Sequence, residues 1–512
     1  MTKRQRAATP RSRTGCQTCK IRHVKCDEQR PECHQCKRTG RKCDGYTQQR
    51  PQNDVEPTRR PKMSADHRIV LRAGTREERH YLYFFNTQTA QALSGFFDSG
   101  LWRRQLPQLS ECEPVVRHAT AAVSAAHERA LALQRDPSAR RITNERFIVY
   151  HYNEAIRHLR CYLASSGGKT DLTLITCFLF VCLEMLNGNV KQALDHLEAG
   201  LKIIQRTTDQ QSPTTRSNET DTELLHLSLR LNIQLAMNGR PMVAFNLESM
   251  CSEEELTDES PAWSNISQAQ HALDRLMNRT LMFIRLAGHE RTDRTHLEPQ
   301  QLQLKQAFEA WNSAFEGLIR RSRGPAKGDP RGLLLLRMLY LDSWIWMNTC
   351  LSRDETVFDS HTPAFAEIVH CVAQVIDLDA AVDRTLTKCA PDIFTLETGI
   401  ITGLYYTATR CREPTIRREA IRLLDQCTKQ EGLWNKRIIV KTVQLVMDLE
   451  EENLTSLPIE ERIPGDKDRI YETLTSISEG EDIRCTRRVL FLSKPNGPDG
   501  AWKTRVRFVE WS

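Results

Sequence analysis

Residues 14–46 read TGCQTCKIRHVKCDEQRPECHQCKRTGRKCDGY, with six cysteines in two copies of one spacing. Cys16 leads to Cys19 and Cys26, and Cys33 leads to Cys36 and Cys43 in the same rhythm. Two thiolates three positions apart reach one metal from a single turn. The longer gap leaves room for a short helix before a third thiolate returns. Zinc held by sulfur takes four ligands in a tetrahedron. Two zinc ions need more ligand positions than six cysteines supply, and the count closes if one thiolate of each half bridges both metals. A single zinc leaves the internal repeat unexplained, and a copper store has no use for the basic residues between the cysteines. His23 and His34 are further ligand candidates, although the thiolates already complete the count.

Charge follows the cysteines. The chain has 512 residues and a net charge of +7, but residues 1–62 hold 17 Lys and Arg against 6 Asp and Glu. The remainder is slightly acidic, so the basic excess is local, which is the electrostatic footprint of a polyanion partner. The other eleven of the 17 cysteines, such as Cys177, Cys182 and Cys427, are scattered through apolar stretches and read as small core residues in a reducing compartment, not as a disulfide framework. The N-terminus is polar and basic and reads as free of a signal peptide. The longest apolar run, 172–186, is shorter than the ~20 residues of a membrane span and contains Glu184, so a buried helix and no membrane partner are expected.

The run 14–46 resembles the fungal binuclear zinc cluster DNA-binding domain, matching all six cysteines in spacing. The resemblance implies two Zn(2+) ions. It makes Cys16 and Cys33 the bridging ligands, with Cys19 and Cys26 completing one ion and Cys36 and Cys43 the other. Pro31 matches the family's loop proline, which is often cis. Double-stranded DNA is then the partner, a CGG-like triplet the sequence read, RNA polymerase II transcription the process and the nucleus the place.

Chemistry and resemblance meet at Lys20-Ile21-Arg22-His23-Val24-Lys25. As a short helix begun by a cysteine, this stretch would offer its N-terminal amides to phosphate. Ile21 and Val24 would share the inward face. Lys20 and Lys25 add cationic side chains, and Arg22 and His23 are placed to reach base edges. Arginine paired to guanine O6 and N7 is the commonest specific contact. His23 stands where the family usually has Lys or Arg, and a neutral imidazole offers guanine one hydrogen bond. Lys37, Arg38, Arg41 and Lys42 are expected on phosphates, which position the module without specifying sequence.

Beyond the cluster, a basic tail (1–13) and a proline-dotted linker (47–75) flank it, and "KRQR" (3–6) and "RRPK" (59–62) suit nuclear import. The linker shows no heptad, so the protein is expected either to bind as a monomer or to form a homodimer through the following domain. From 76 to 440 the period is helical. Tyr81, Phe84, Phe85, Gln88 and Ala92 fall on one face, a helix begins at Pro114 with Ser110 as its cap, and Asn187-Gly188-Asn189 divides a helical hairpin. A low-complexity loop is expected over 205–222. The succession suggests antiparallel helix pairs, somewhat like tetratricopeptide repeats. The stretches "SGFFDSGLW", "EPVVRHATAAVSAAHE", "HYNEAIRHL" and "LEMLNGNVKQALDHLEAGLKII" also resemble the family's fungal-specific regulatory domain. That likeness implies regulation through effectors, self-association or the transcription machinery.

Past 440 an acidic segment, 448–482, precedes "RVLFLSKPNGPDGAWKTRVRFVEW", which reads as a two-stranded hairpin. The acidic composition suits an activation segment, and a solvated loop gives the same composition. The expected fold is mainly α: a small zinc cluster, a linker, a large helical-hairpin domain and a short C-terminal β-hairpin. No enzyme is expected. "SSGGKT" (165–170) lacks the first glycine and preceding strand of a phosphate loop, "HERAL" lacks a second histidine, which leaves His127 and Glu128 as surface or capping residues, and "GHERTDRTH" (288–296) reads as a polar turn. The alternative is an adaptor that docks other regulators with little direct DNA readout.

Overall fold

A computed structural model describes residues 14–46 and residues 74–510, apart from 96, 98–99, 136–143, 165–169, 211–218, 246–262, 290–294, 323–329, 386–393, 397–398, 428–429 and 477–485. The basic tail, nearly all of the linker, both basic runs and the core of "SSGGKT" lie outside the described residues. The chain divides into two compact units, Met1–Leu71 and Arg72–Ser512.

The first unit contains α1 (Gln17–Ile21) and α2 (His34–Arg38). Its buried side chains are Cys16, Cys19, Cys26, Cys33 and Cys36, with Val24, Cys43 and Tyr46 packed against them. Among the described residues of this unit there is no apolar core beyond that. A unit of this kind depends on what the sulfurs bind.

The second unit is mainly helical. It begins with α3 (Arg76–Phe84), α4 (Ala90–Ser94), α5 (Leu106–Cys112), α6 (Pro114–Arg135), α7 (Glu145–Ala164), α8 (Thr170–Asn187), α9 (Val190–Gln210) and α10 (Glu219–Met237). It continues with α11 (Ile266–His289), α12 (Glu298–Ser322), α13 (Pro330–Thr349) and α14 (Thr362–Thr385). After β1 (Phe394–Thr395) come α15 (Ile400–Arg410), α16 (Pro414–Gln426), β2 (Gln430–Glu431) and α17 (Lys436–Glu450). A sheet of β3 (Ile470–Ser476), β4 (Thr486–Ser493) and β5 (Lys503–Glu510) ends the chain.

Helix pairs α6–α7, α8–α9, α13–α14 and α15–α16 pack against each other as sequence neighbours. α8 is apolar on every side, and each residue from Leu172 to Met185 is buried, as an all-round apolar helix requires. The helix is long and apolar enough to cross a membrane by composition alone, but 78% of it is buried among the other helices of the unit. Gly188 turns the chain into α9 with φ +78°, a conformation that favours glycine. Gly200 of α9 lies so near α8 that a Cβ there would sit 3.3 Å from Cys177 Cβ. One core gathers α3 to α9, and a second gathers α11 to α17. α10 serves both, with Leu227, Leu231 and Leu235 in the first and Ile233 in the second.

Several sequence expectations need correction. Of the α3 stripe, Tyr81, Phe85 and Ala92 are buried, but Phe84 and Gln88 are half-buried. Leu82 of α3 is buried beside Tyr81, and a π-helical turn at Phe85–Thr89 inserts an extra residue that shifts the phase after it, so that Leu93 is buried as well. Ser110 does not cap α6: it lies within α5 and its hydroxyl donates to the Pro107 carbonyl. The expected loop over 205–222 is shorter, since α9 runs to Gln210 and α10 starts at Glu219.

The largest correction is C-terminal. The boundary at 440 falls inside α17, and the hairpin β4–β5 is joined by β3 into a three-stranded antiparallel sheet. β3 comes from the segment read as acidic. Val446 of α17 packs on Ile470, Val489, Phe491 and Val509 of that sheet. Glu450 is buried, accepting from Arg412 at 3.0 Å, Arg417 at 2.6 Å and the Ile470 amide at 2.7 Å. Glu451 accepts from Arg418. These carboxylates are structural partners, and not members of a solvated acidic stretch.

Charge also fixes α15. Its N-cap, Gly399, has no side chain to offer, and the buried Glu431 carboxylate of β2 accepts from the amides of Gly399, Ile400 and Ile401, each at 2.9 Å. An anion at the positive end of a helix is favourable, and here it satisfies three donors at once.

Candidate metal centre and nucleic-acid interface

Each half of the cysteine repeat builds the same local structure. Cys16 is the N-cap of α1, its sulfur accepting from the Cys19 amide at 3.4 Å, and Cys33 is the N-cap of α2, accepting from the Cys36 amide at 3.3 Å. The spacing therefore places two sulfurs of each half on one helical turn. The third returns through Val24 to Cys26 in one half and through Arg41 to Cys43 in the other. Arg30-Pro31, between the halves, is cis.

The six sulfurs converge. One tetrad is Cys16, Cys19, Cys26 and Cys33, the other is Cys16, Cys33, Cys36 and Cys43, and the ligand atoms within each lie within 4.8 Å of one another. Cys16 and Cys33 belong to both. Their sulfurs are 3.6 Å apart, as are those of Cys19 and Cys33, and Cys16 and Cys36 are 3.8 Å apart. A tetrahedral ion with bonds of ~2.3 Å to sulfur sets its ligands about 3.8 Å from each other. The spacing is thus that of a zinc tetrahedron edge, far beyond a disulfide bond of ~2.05 Å. The residues fit two zinc ions.

Burial pushes the Cys16 thiol up to about 12 and raises Cys33 and Cys19 too. Cys26 runs the other way: burial opposes its ionisation, yet the amides of Cys16 and Glu28 bring it down to about 7. Buried sulfurs of this kind ionise together only with cations among them.

Supporting residues are visible in the geometry but were not singled out in the sequence. Asp27 accepts from the amides of His34 and Gln35 at the start of α2. Thr18 and Asp44 exchange two hydrogen bonds, at 2.8 and 3.0 Å, that join α1 to the end of the cluster. Tyr46 donates to the Gln29 carbonyl at 2.6 Å, with its ring under the Arg30 guanidinium. A threonine two residues after a cysteine, or an aspartate directly after one, carries no distinctive sequence signal.

The basic hexapeptide differs from expectation. α1 starts before it and ends at Ile21, so Lys20 sits in the last turn and Arg22 to Lys25 follow the helix. The stretch does not present a helix N-terminus to phosphate, because it lies at the other end of α1, and in the first turn the Cys19 amide donates to the Cys16 sulfur and the Gln17 amide to the Gly45 carbonyl. Lys20 instead complements the negative end of the helix dipole, as do Lys37 and Arg38 on α2. Ile21 does not face inward: it is 75% exposed, while Val24 packs against the cluster. His23 takes φ +55°, which reverses the chain after Arg22. Lys20, His23, Lys25, Lys37, Arg38, Arg41 and Lys42 are exposed. Arg22 is half-buried, and its guanidinium donates to Thr39 at 3.1 Å.

The helical unit shows no catalytic constellation among the described residues. A helix, α7, precedes "SSGGKT" where a phosphate loop has a strand. His127 is buried against Thr89 and is not the surface residue expected from "HERAL", whereas Glu128 pairs with His80. A groove of about 510 Å³ beside α11 and α12 is lined by Val243, Phe245, Met282, Phe283 and Leu304, with Asn278 and Arg279 among its polar residues. The described cysteines form no disulfide, and Cys177, Cys182 and Cys427 are buried.

A family model described as the fungal Zn(2)-Cys(6) binuclear cluster domain matches residues 14–53, and one described as the fungal specific transcription factor domain matches residues 80–438. The chain is 24% identical over 534 aligned residues to the aspercryptin biosynthesis cluster-specific transcription regulator atnN of Emericella nidulans, covering 83% of this chain and 85% of that protein. It is 28% identical over 204 residues to the transcription regulator lscL of Purpureocillium lilacinum, covering 36% of this chain and 47% of that protein. It is also 28% identical over 133 residues to the transcriptional regulatory protein moc3 of Schizosaccharomyces pombe, covering 25% of this chain and 24% of that protein. No solved structure matches.

Proposed function

We propose, from the premise that this chain belongs to the fungal zinc-cluster transcription regulators with the fungal-specific transcription factor domain, that it is a sequence-specific reader of CGG-like triplets controlling RNA polymerase II transcription in the nucleus. Its cofactor is two zinc ions, and its role is regulatory, without enzymatic activity. Cys16, Cys19, Cys26 and Cys33 would hold one ion and Cys16, Cys33, Cys36 and Cys43 the other. The observation that carries this reading is that the two sulfur tetrads share Cys16 and Cys33.

Bound zinc supplies a rigid crosslink in place of a hydrophobic core, worth ~10–16 kcal/mol in small zinc peptides. The chain's residues do the rest. Thr18 with Asp44, and Asp27 with α2, hold the two halves in register. In the reading we favour, Arg22 and His23 meet base edges from the turn after α1. Lys20, Lys25, Lys37, Arg38, Arg41 and Lys42 neutralise phosphate. Thr39 restrains the Arg22 guanidinium through one of its five donors, leaving a fork free for guanine. The helical unit would serve partners: a second copy of the chain and the transcription machinery.

The test is binding of full-length protein to a duplex with a CGG triplet and to a scrambled duplex across a salt series. Specific binding that falls steeply with salt on both duplexes, yet stays tighter on the first, is expected. Weak, salt-insensitive binding without preference would favour the adaptor reading instead.

A further inference from the structure

A second group of metal-ligand side chains lies in the helical unit. His118 belongs to α6, His151 to α7 and Glu78 to the first turn of α3, and one ligand atom of each lies within 4.8 Å of the other two. The Nδ1 atoms of His118 and His151 are 2.8 Å apart, so one carries a proton and the other presents its lone pair. Glu78 Oε1 stands 3.8 Å from His151 Nε2, too far for a hydrogen bond. Glu78 Oε2 accepts from the Thr75 amide at 2.7 Å, within a capping box that fixes the carboxylate. His151 is 2% exposed and lies against the Phe147 ring, 4.0 Å away. Glu78 and His118 are half-buried, and withdrawing the His151 imidazole from water costs free energy that an apolar side chain would not.

We propose that Glu78, His118 and His151 form a binding site for a divalent transition metal of the zinc type, separate from the cysteine cluster. Imidazole and carboxylate are suitable donors, and two histidines with one glutamate leave a fourth position for water. Bonds of ~2.05 Å would set the two nitrogens about 3.3 Å apart, so the ion needs the pair to open by about half an ångström. Burial lowers His151 to about 4 and lowers His118 as well, which leaves both rings neutral as ligands must be. The adjoining set of His118, Glu154 and His158 is a poorer host, because Arg157 donates to both Glu154 oxygens and lies 3.0 Å from His158 Nε2. An ion held by Glu78, His118 and His151 would tie α3, the first helix of the unit, to the α6–α7 pair.

The experiment is cobalt titration of untagged full-length protein prepared with two zinc ions per chain, so that only the cysteine cluster is filled, read by visible absorption and by metal content. One further ion per chain is expected, with the weak bands of nitrogen and oxygen ligands and no sulfur charge-transfer band. His118→Gln and His151→Gln should each weaken its binding by about tenfold or more, whereas His158→Gln and Glu154→Gln should not. Should the histidine variants fail to fold, Glu78→Gln decides: its amide oxygen keeps the bond to Thr75, and its cobalt affinity must still fall. No cobalt uptake by the two-zinc protein, or uptake unchanged in these variants, would overturn the proposal. The sulfur bands separate this outcome from any failure of the cysteine cluster.

Discussion

The Arg22 guanidinium donates through Nη1 to the Thr39 hydroxyl at 3.1 Å, linking the turn after α1 to the end of α2. This bond presents the arginine from a fixed position. Arg22→Ala is expected to cost about 1–3 kcal/mol on a CGG duplex and much less on a scrambled one. Thr39→Val, which only releases the side chain, should lose less on the same duplex. Equal losses by Arg22→Ala on both duplexes in a mobility-shift titration would reduce Arg22 to a phosphate contact.

The exposed cations of the second half should act on salt dependence. Removing Lys37, Arg38, Arg41 or Lys42 singly to Ala is expected to lower the slope of log K against log salt by about one while weakening all sequences alike. A substitution that changed sequence preference without changing the slope would move that residue to the base edges.

Glu450 lies fully buried between Arg412 and Arg417. Glu450→Ala removes the carboxylate shared by two buried cations, leaving Arg412 with Glu355 and Arg417 with Glu451 at 4.0 Å, and should destabilise the helical unit by roughly 3 kcal/mol. Although burial raises the Glu450 carboxyl, the two arginines lower it more. A depressed carboxylate contributes stability above its unfolded pKa of ~4.3, and that contribution is lost as pH falls through the folded value. Urea midpoints of wild type and Glu450→Gln should therefore converge at acid pH, and a gap that is constant with pH would contradict this.

His127 gives a second pH signature at milder acidity. Burial beside Thr89 lowers it to about 4, against ~6.5 in an unfolded chain. The unfolded state binds more protons between those values, so stability is full above ~6.5 and declines as pH drops toward about 4. His127→Gln should flatten that decline in chemical denaturation, and an unchanged profile would mean that His127 does not titrate on unfolding.

How much of this was legible in the sequence depends on how local the signal is. The cysteine spacing, the Gly188 turn, the Pro114 helix start and the apolar α8 are encoded within a few residues, and the structure has them in place. Ile21 was misplaced because a helix phase counted from Lys20 is wrong when the sulfur of Cys16 starts the helix three residues before Cys19. The acidic segment was misread because composition does not show that Glu450 meets arginines 33 and 38 positions away. The cluster of Glu78, His118 and His151 joins three helices, and nothing in the spacing of those residues announces it.

Cadmium NMR of the cadmium-substituted full-length chain tests the central claim most directly, since it counts the ions held by sulfur. Two sulfur-ligated resonances are expected. Cys33→Ser should perturb both, because its sulfur lies in both tetrads, while Cys26→Ser should perturb chiefly one. A single sulfur-ligated resonance in the wild type, or one left untouched by Cys33→Ser, would contradict the shared-ligand cluster.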